Sequence, residues 1–301
     1  MTADTGPDFL LIGAQRSGTT SMVRALQDVP GVVMCPDKEC GFFAYEGNRR
    51  DFRGPGDYRA SRNLVTEHAH YAALFEGAGH PRGEASVVYL YDESAAARIH
   101  EWSPDMRLIA ILRDPVERAY SAFSLLRSQG REPIDCFRRA LEEEDRRVAE
   151  GWEPLWHYRR VGMYGQQLAR YRSVFPTDQI LLIGFEEWVR RPEAVLRRVL
   201  DFVGAVSPEP LPRPPHLNAS ASPRSFGAMR ALEHEGGLFD MARRLLPRAI
   251  RSRLGTTARR VLLRERAPAD EEARSYLGRA YREDRERLKT FGVDTTSWVG
   301  N

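Results

Sequence analysis

Gly13 and Gly18 are separated by four residues in the stretch FLLIGAQRSGTTSMVRAL (residues 9–26), with Arg16 and Ser17 between them and Thr19 and Thr20 directly after. These types at this spacing suit an anion. Glycine lets the backbone turn close to a phosphate, and hydroxyls and a guanidinium donate to it. A helix beginning here would add its free N–H groups and its positive end. The pattern departs from the nucleotide-hydrolysing loop G-x-x-x-x-G-K-[ST]: Thr19 stands where the lysine belongs, and the cation has moved upstream to Arg16. Three readings stay open on these residues. One is a strand-to-helix turn without function. Another is a nucleoside-triphosphate hydrolase, for which neither the lysine nor a Mg²⁺-holding carboxylate is identifiable. The third is a donor nucleotide whose 5′ group is held by amides, hydroxyls and an arginine, with no required metal.

A second candidate anchor lies in LIAILRDPVERAYSAF (residues 108–123). Arg113 leaves the carboxyl end of an apolar run, where ligands of open α/β sheets collect. Ser121 follows on the expected helix, about 9 Å beyond Pro115 at about 1.5 Å per residue. It can meet a ligand along the helix flank but not at its tip. Taken alone, Arg113 suits a strand-end ion pair equally well. In CPDKECGFFAY (residues 35–45), Lys38 and Glu39 adjoin Phe42 and Phe43. Group transfer to a hydroxyl or amine needs a proton acceptor and positive charge near the leaving group. This pair offers both, and a surface ion pair beside a core aromatic pair is the plainer alternative. Lys38 and Lys289 are the only lysines in a chain that otherwise uses arginine.

These residues need elements to position them. DFLLIG reads as a buried parallel strand, and TTSMVRALQDV as a helix capped by threonine or serine hydroxyls. MRLIAILRDP reads as a strand closed by Asp-Pro, with Pro115 in the first turn of the helix PVERAYSAFSLLRSQ. RGEASVVYLY and QILLIGF read as further strands. HAHYAALFEGAG, residues 135–150, GMYGQQLARYRSVFP and RPEAVLRRVLDFVGA read as helices. Residues 46–63, polar and rich in glycine and arginine, read as a surface excursion. Strands alternating with helices predict an α/β fold, a P-loop-like parallel sheet flanked by helices. Beyond the proline-rich residues 206–216 the chain turns basic and helical, and closes with the helix DEEARSYLGRAYREDRERLKTFG. The expected organisation is one domain over 1–301, with an α/β nucleotide-binding core (1–205) and a helical C-terminal cap (216–301).

A hydrophobic content of 42% and a charged content of 29% are those of an ordinary soluble domain, and a net charge of +3 leaves no nucleic-acid footprint. Cys35, Cys40 and Cys136 make neither a disulfide framework nor a metal set. With no signal-like N-terminus and no apolar run of membrane length, the expected place is the cytoplasm, without stable membrane association. The basic residues 238–266 read as a solvated part of the cap.

Both anchors, in this order and on matching elements, resemble the sulfotransferases that use 3′-phosphoadenosine 5′-phosphosulfate (PAPS), in the style of the heparan-sulfate-type and related bacterial members. The resemblance extends over nearly the whole chain, though only the two nucleotide motifs are specific. G-x-x-R-S-G-T-T is similar to the family's 5′-phosphosulfate loop, which implies that Gly13, Arg16, Ser17, Gly18, Thr19 and Thr20 cradle that group. Relatives often carry lysine where Arg16 stands, so the charge is kept while its geometry becomes a fork. Arg113 with Pro115-x-x-Arg118-Ala119-x-Ser121 resembles the 3′-phosphate motif and implies that Arg113 and Ser121 hold that phosphate. Lys38-Glu39-x-x-Phe42-Phe43 resembles the segment with the catalytic glutamate. It implies Glu39 as general base, with Lys38 and Arg16 facing the charge that develops on the leaving phosphate.

Glu84, Ser86 and Tyr89 resemble a Glu-Lys-Ser/Thr-x-x-Tyr segment, which puts Glu84 and Ser86 beside the acceptor; on the residues alone they serve equally well to end a strand. Ala85 stands where glycan-modifying relatives carry lysine, a departure that favours a small or neutral acceptor. HLNASASPRSF resembles a segment before the cap, placing His216 and Asn218 toward the acceptor and Arg224 toward the donor. His216 and His157 are the alternative bases. The activity so implied is transfer of a sulfuryl group from PAPS to a hydroxyl or amine of a carbohydrate or small-metabolite acceptor. Adenosine 3′,5′-bisphosphate (PAP) is the product, and no metal is required. Two rivals stand beside it, a nucleoside-triphosphate kinase on the same fold and a non-catalytic nucleotide-binding module.

Overall fold

The computed structural model describes residues 6–212, 221–223, 263–265 and 269–299. β1 (Phe9–Gly13) is buried along its whole length. Successive side chains of a strand point to opposite faces, so Leu10 and Ile12 join one core cluster and Phe9 and Leu11 the other. A strand with two apolar faces needs helices on both sides. α1 (Thr19–Gln27) buries Met22, Val23, Ala25 and Leu26 on the second face. Its N-cap is Gly18 at φ 84°, with no side-chain cap. The expected hydroxyl cap is thus replaced by a left-handed glycine, which closes the turn without a Cβ clash. β2 (Val33–Met34) is short, and α2 (Phe42–Tyr45) follows the turn 35–41. α3 (Tyr58–Arg62) lies inside the excursion, and α4 (His68–Ala73) leads to β3 (Arg82–Ala85).

At β3 the structure departs from the sequence-based expectation. VVYLY has the composition of a strand, yet β3 stops at Ala85 and α5 (Val88–Tyr91) is helical. Val87 gives its amide to the Glu39 carboxylate rather than to a neighbouring strand, while Tyr89 and Leu90 bury in the first cluster. Burial overrides strand propensity here.

α6 (Ala95–Trp102) precedes β4 (Arg107–Leu112), whose Leu108, Ala110 and Leu112 face the first cluster and Ile109 and Ile111 the second. α7 (Pro115–Ser128) opens on its proline, and the Asp114 carboxylate caps it by accepting the Val116 and Glu117 amides at 2.8 and 3.4 Å. The single helix expected over 135–150 is two, α8 (Phe137–Glu142) and α9 (Glu144–Ala149). The break lets Glu144 turn inward and accept the Arg159 and Arg160 amides at 2.6 and 2.8 Å. α10 (Tyr164–Arg172), β5 (Ile180–Gly184), α11 (Phe185–Arg190) and α12 (Pro192–Val203) complete the core, and left-handed Gly204 ends α12.

The sheet order is β2-β3-β1-β4-β5, all parallel. Every strand therefore delivers its carboxyl end to the same edge. Beyond the core, β6 (Ala221–Pro223) pairs antiparallel with β7 (Leu263–Glu265), so the cap is not purely helical. The closing helix is also two, α13 (Glu271–Ala280) and α14 (Arg282–Thr290). They part at buried Tyr281, whose hydroxyl donates to the Arg159 carbonyl at 2.9 Å. α13 packs on α7 and α8, and α14 on α10. Among the described residues no helix is long and apolar enough to cross a membrane.

Candidate active site

The turns that follow β1, β2, β3 and β4 all emerge on the carboxyl edge of the sheet. In the first, Arg16 Nε donates to Ser121 Oγ at 3.2 Å, and Arg113 Nη1 donates to the Arg16 carbonyl at 3.4 Å. Residues 105 and 97 positions away in the chain are thereby brought onto the glycine loop. Arg113 also lies over the Phe185 ring, 4.7 Å from its centroid, with Glu117 Oε2 at 3.9 Å from Nη2. The strand-end ion pair is therefore present but long, and the other Glu117 oxygen accepts from Arg274 at 2.9 Å. Beneath the loop Ser17 is fully buried, beside Tyr164 at the start of α10. Burial pushes the Tyr164 phenol up to about 12, with Arg118 and then Ser17 pulling it back. A buried hydroxyl beside the uncapped N-terminus of α1 suits the oxygens of a bound anion.

The second group of residues sits in the turn after β2. Lys38 Nζ pairs with Glu39 Oε1, and the Val87 amide donates to Glu39 Oε2 at 2.9 Å. The Lys38 and Glu39 side chains are 27% and 39% exposed, so an acceptor can reach both. Arg16 (φ 68°) and Glu39 (φ 65°) are the non-glycine residues with positive φ among the described residues. A left-handed L-residue costs about 1–2 kcal/mol, and such strain persists where the surroundings over-determine it, commonly at functional sites. Both outliers fall on residues the sequence singled out for chemistry.

Residues 7–209 match the Sulfotransferase family. The chain belongs to this PAPS-dependent family. The chain is 29% identical over 198 residues to heparan sulfate glucosamine 3-O-sulfotransferase 3A1 of Mus musculus, a match covering 66% of the chain and 46% of that relative. It is 25% identical over 314 residues to bifunctional heparan sulfate N-deacetylase/N-sulfotransferase 3 of Mus musculus, covering 99% of the chain and 32% of the relative. The chain thus spans less than half the length of these curated relatives. Among solved structures, the sulfotransferase from Alicyclobacillus acidocaldarius aligns with a TM-score of 0.75 at 28% identity, over 97% of this chain and 98% of the other.

Three expectations about the acceptor side change. Glu84 and Ser86 do not line the site: both are 0% exposed and lie under the Glu39 turn. Ala85 packs in the second core cluster, so its lack of charge carries no information about the acceptor, and the preference for a neutral one falls. His157 is buried, its Nδ1 is within 2.9 Å of the Tyr91 hydroxyl, and burial pulls it down to about 4. It is neutral and enclosed, unsuited to serve as the base. His216, Asn218 and Arg224 lie outside the described residues.

Sequence reasoning missed Tyr164 and Phe185, ordinary aromatics in a helix and at a strand end. It also missed Asp57, a fully buried carboxylate in the polar excursion. Asp57 accepts the Gly54 and Glu153 amides and Trp156 Nε1, each at 2.8 Å, and pairs with Arg131. The excursion leaves and returns beside the base, through Val65 N to Cys40 O and Gly47 N to Thr66 O, both 2.9 Å.

Burial raises Glu84 from 4.5 to about 7, against the lowering hydrogen bonds of Ser86 and Tyr89. Its folded value lies above its unfolded one, so the folded state binds the extra proton and stability falls as pH rises between those values. Glu84→Gln is expected to stabilise the protein at pH 8 by at most about 3 kcal/mol and to change little at pH 4.5. Urea melts at the two pH values check this, and equal effects at both would refute it.

Proposed function

We propose that this sulfotransferase moves the sulfuryl group of PAPS onto a hydroxyl or amine of a carbohydrate or small-metabolite acceptor. The observation that carries the reading is the contact of Arg16 with Ser121 and Arg113. It joins a loop suited to a 5′-phosphosulfate with residues suited to a 3′-phosphate, a combination that serves a single ligand bearing both. In this reading the loop from Gly13 to Thr20 holds the 5′ group through amides, hydroxyls and Arg16, and Arg113 and Ser121 hold the 3′-phosphate. The acceptor oxygen or nitrogen attacks sulfur in line, its proton passes to Glu39, and the bond from sulfur to the 5′-phosphate oxygen breaks. Arg16, Lys38 and the loop amides stabilise the charge left on that phosphate.

The excursion rooted at Cys40 favours an acceptor that carries negative charge. Arg49, Arg50, Arg53, Arg59 and Arg62 are all exposed along it, while Asp57, one of its acids, is turned inward.

Thermal shift with PAP, AMP and Mg-ATP tests the donor. A ligand at a hundred times its Kd stabilises by about 2.7 kcal/mol, so PAP is expected to raise Tm by several degrees and AMP by less. Turnover of PAPS is then measured against an anionic glycan, a neutral glycan and a simple phenol. Stabilisation by Mg-ATP alone would make the protein a kinase. PAP binding without turnover of any acceptor, or of water, would make it a binding module.

A further inference from the structure

Three successive positions of the chain leaving β3 hold the turn that carries Glu39. The Ala85 carbonyl accepts the Glu39 amide, the Ser86 hydroxyl accepts the Gly41 amide, and the Val87 amide donates to Glu39 Oε2, each at 2.9 Å. Glu39 and Gly41 both sit at φ 65°. Glycine takes this conformation freely, but Glu39 does not, so its place in the turn depends on what it is bonded to.

Glu84 lies one layer deeper. Ser86 Oγ donates to Glu84 Oε1 at 2.6 Å. A serine hydroxyl has one proton. Committing it to Glu84 leaves only lone pairs for the Gly41 N–H, and it keeps that proton from Cys40 Sγ, 4.0 Å from Ser86 Oγ. The titratable groups facing Glu84 are Cys40 and Glu39 from the turn, Cys35 before it, Tyr71 from α4 and Tyr89 from α5. None of these is a cation. Glutamine would fill the same space without the cost of burying a carboxylate, and a costly buried charge beside a candidate base points to function rather than packing.

We propose that Glu84 and Ser86 are positioning residues for the base: Glu84 fixes the Ser86 hydroxyl as an acceptor, and Ser86 holds the Gly41 amide and with it the direction of the Glu39 carboxylate. The inference rests on the reading of Glu39 as the base. It carries a pH signature, because Glu84 exchanges its proton near 7. Above that pH the carboxylate takes the Ser86 proton; below it the neutral acid no longer compels it, and the rate falls.

The test uses the full chain, PAPS with the best acceptor of the panel, water as acceptor in parallel, and PAP calorimetry. Ser86→Ala is expected to lower kcat by about tenfold or more, the scale of a slightly displaced catalytic group, with the PAP Kd within about twofold. Ser86→Thr, which keeps the hydroxyl, restores most of the rate. Glu84→Gln loses the rate inflection near pH 7. Unchanged kcat in Ser86→Ala, equal loss of kcat and PAP affinity, or an inflection that survives Glu84→Gln would each overturn the proposal. Failure of the unsubstituted protein to bind PAP or turn over PAPS is failure of the function reading instead. Hydrogen exchange at the Gly41 amide, faster in Ser86→Ala if the proposal holds and unchanged if it does not, separates the two.

Discussion

Arg113→Ala is expected to abolish most of the preference for PAP over AMP. A charge-assisted hydrogen bond to an anion contributes about 1.5–3 kcal/mol, so the PAP Kd should rise on the order of 10- to 100-fold while the AMP Kd moves much less. The side chain is 17% exposed and lies on Phe185, which holds the guanidinium in place before any ligand arrives. It also donates to the Arg16 carbonyl, so its loss loosens the loop, and a small fall in AMP affinity is part of the expectation. Arg113→Lys keeps the charge but not the fork, and should fall between. Calorimetry with both nucleotides decides. Equal weakening of PAP and AMP would mean that Arg113 only supports the loop, and no weakening would remove it from the site.

Glu39→Gln is expected to leave PAP binding intact and lower kcat by about 10²- to 10⁴-fold, the usual contribution of a positioned general base. Glutamine keeps the volume and can still accept the Val87 amide through its side-chain oxygen. It removes the proton acceptor and the charge opposite Lys38. The effect should therefore sit in kcat and hardly at all in Tm or in PAP affinity. PAPS turnover, measured beside PAP calorimetry, checks it. A loss of less than about threefold would exclude Glu39 as the base. The two variants are expected to divide cleanly, one acting on donor binding and the other on the chemical step.

Position 85 shows how sequence reasoning can mislead about an acceptor. Ala85 invites a statement about charge near the substrate, yet alternation along β3 turns its side chain into the core. Glu84 and Ser86 flank it and go under the Glu39 turn instead. Their residue types were informative, since a carboxylate and a hydroxyl in an apolar run ask for an explanation. Which side they served was not. Asp57 is the same case in reverse, a residue that composition assigns to the surface and that four partners hold inside.

What the sequence determined by itself was local in its physics. The apolar runs FLLIG and RLIAIL have two buried faces, which dictates parallel strands covered by helices. Glycine spacing marked the loop proposed to hold an anion, Asp114-Pro115 marked the start of α7, and residue types made Arg16, Glu39, Arg113 and Ser121 candidates that the resemblance then favoured. Tertiary structure alone decided what depends on a distant partner. It converted Gly18 into the cap of α1 and ended β3 by giving the Val87 amide to Glu39. It also placed Ser121 on Arg16 across 105 positions of chain. Hydrogen bonds between segments so far apart leave no periodicity to read, because the energy that selects them exists only once the sheet has brought its carboxyl ends to one edge.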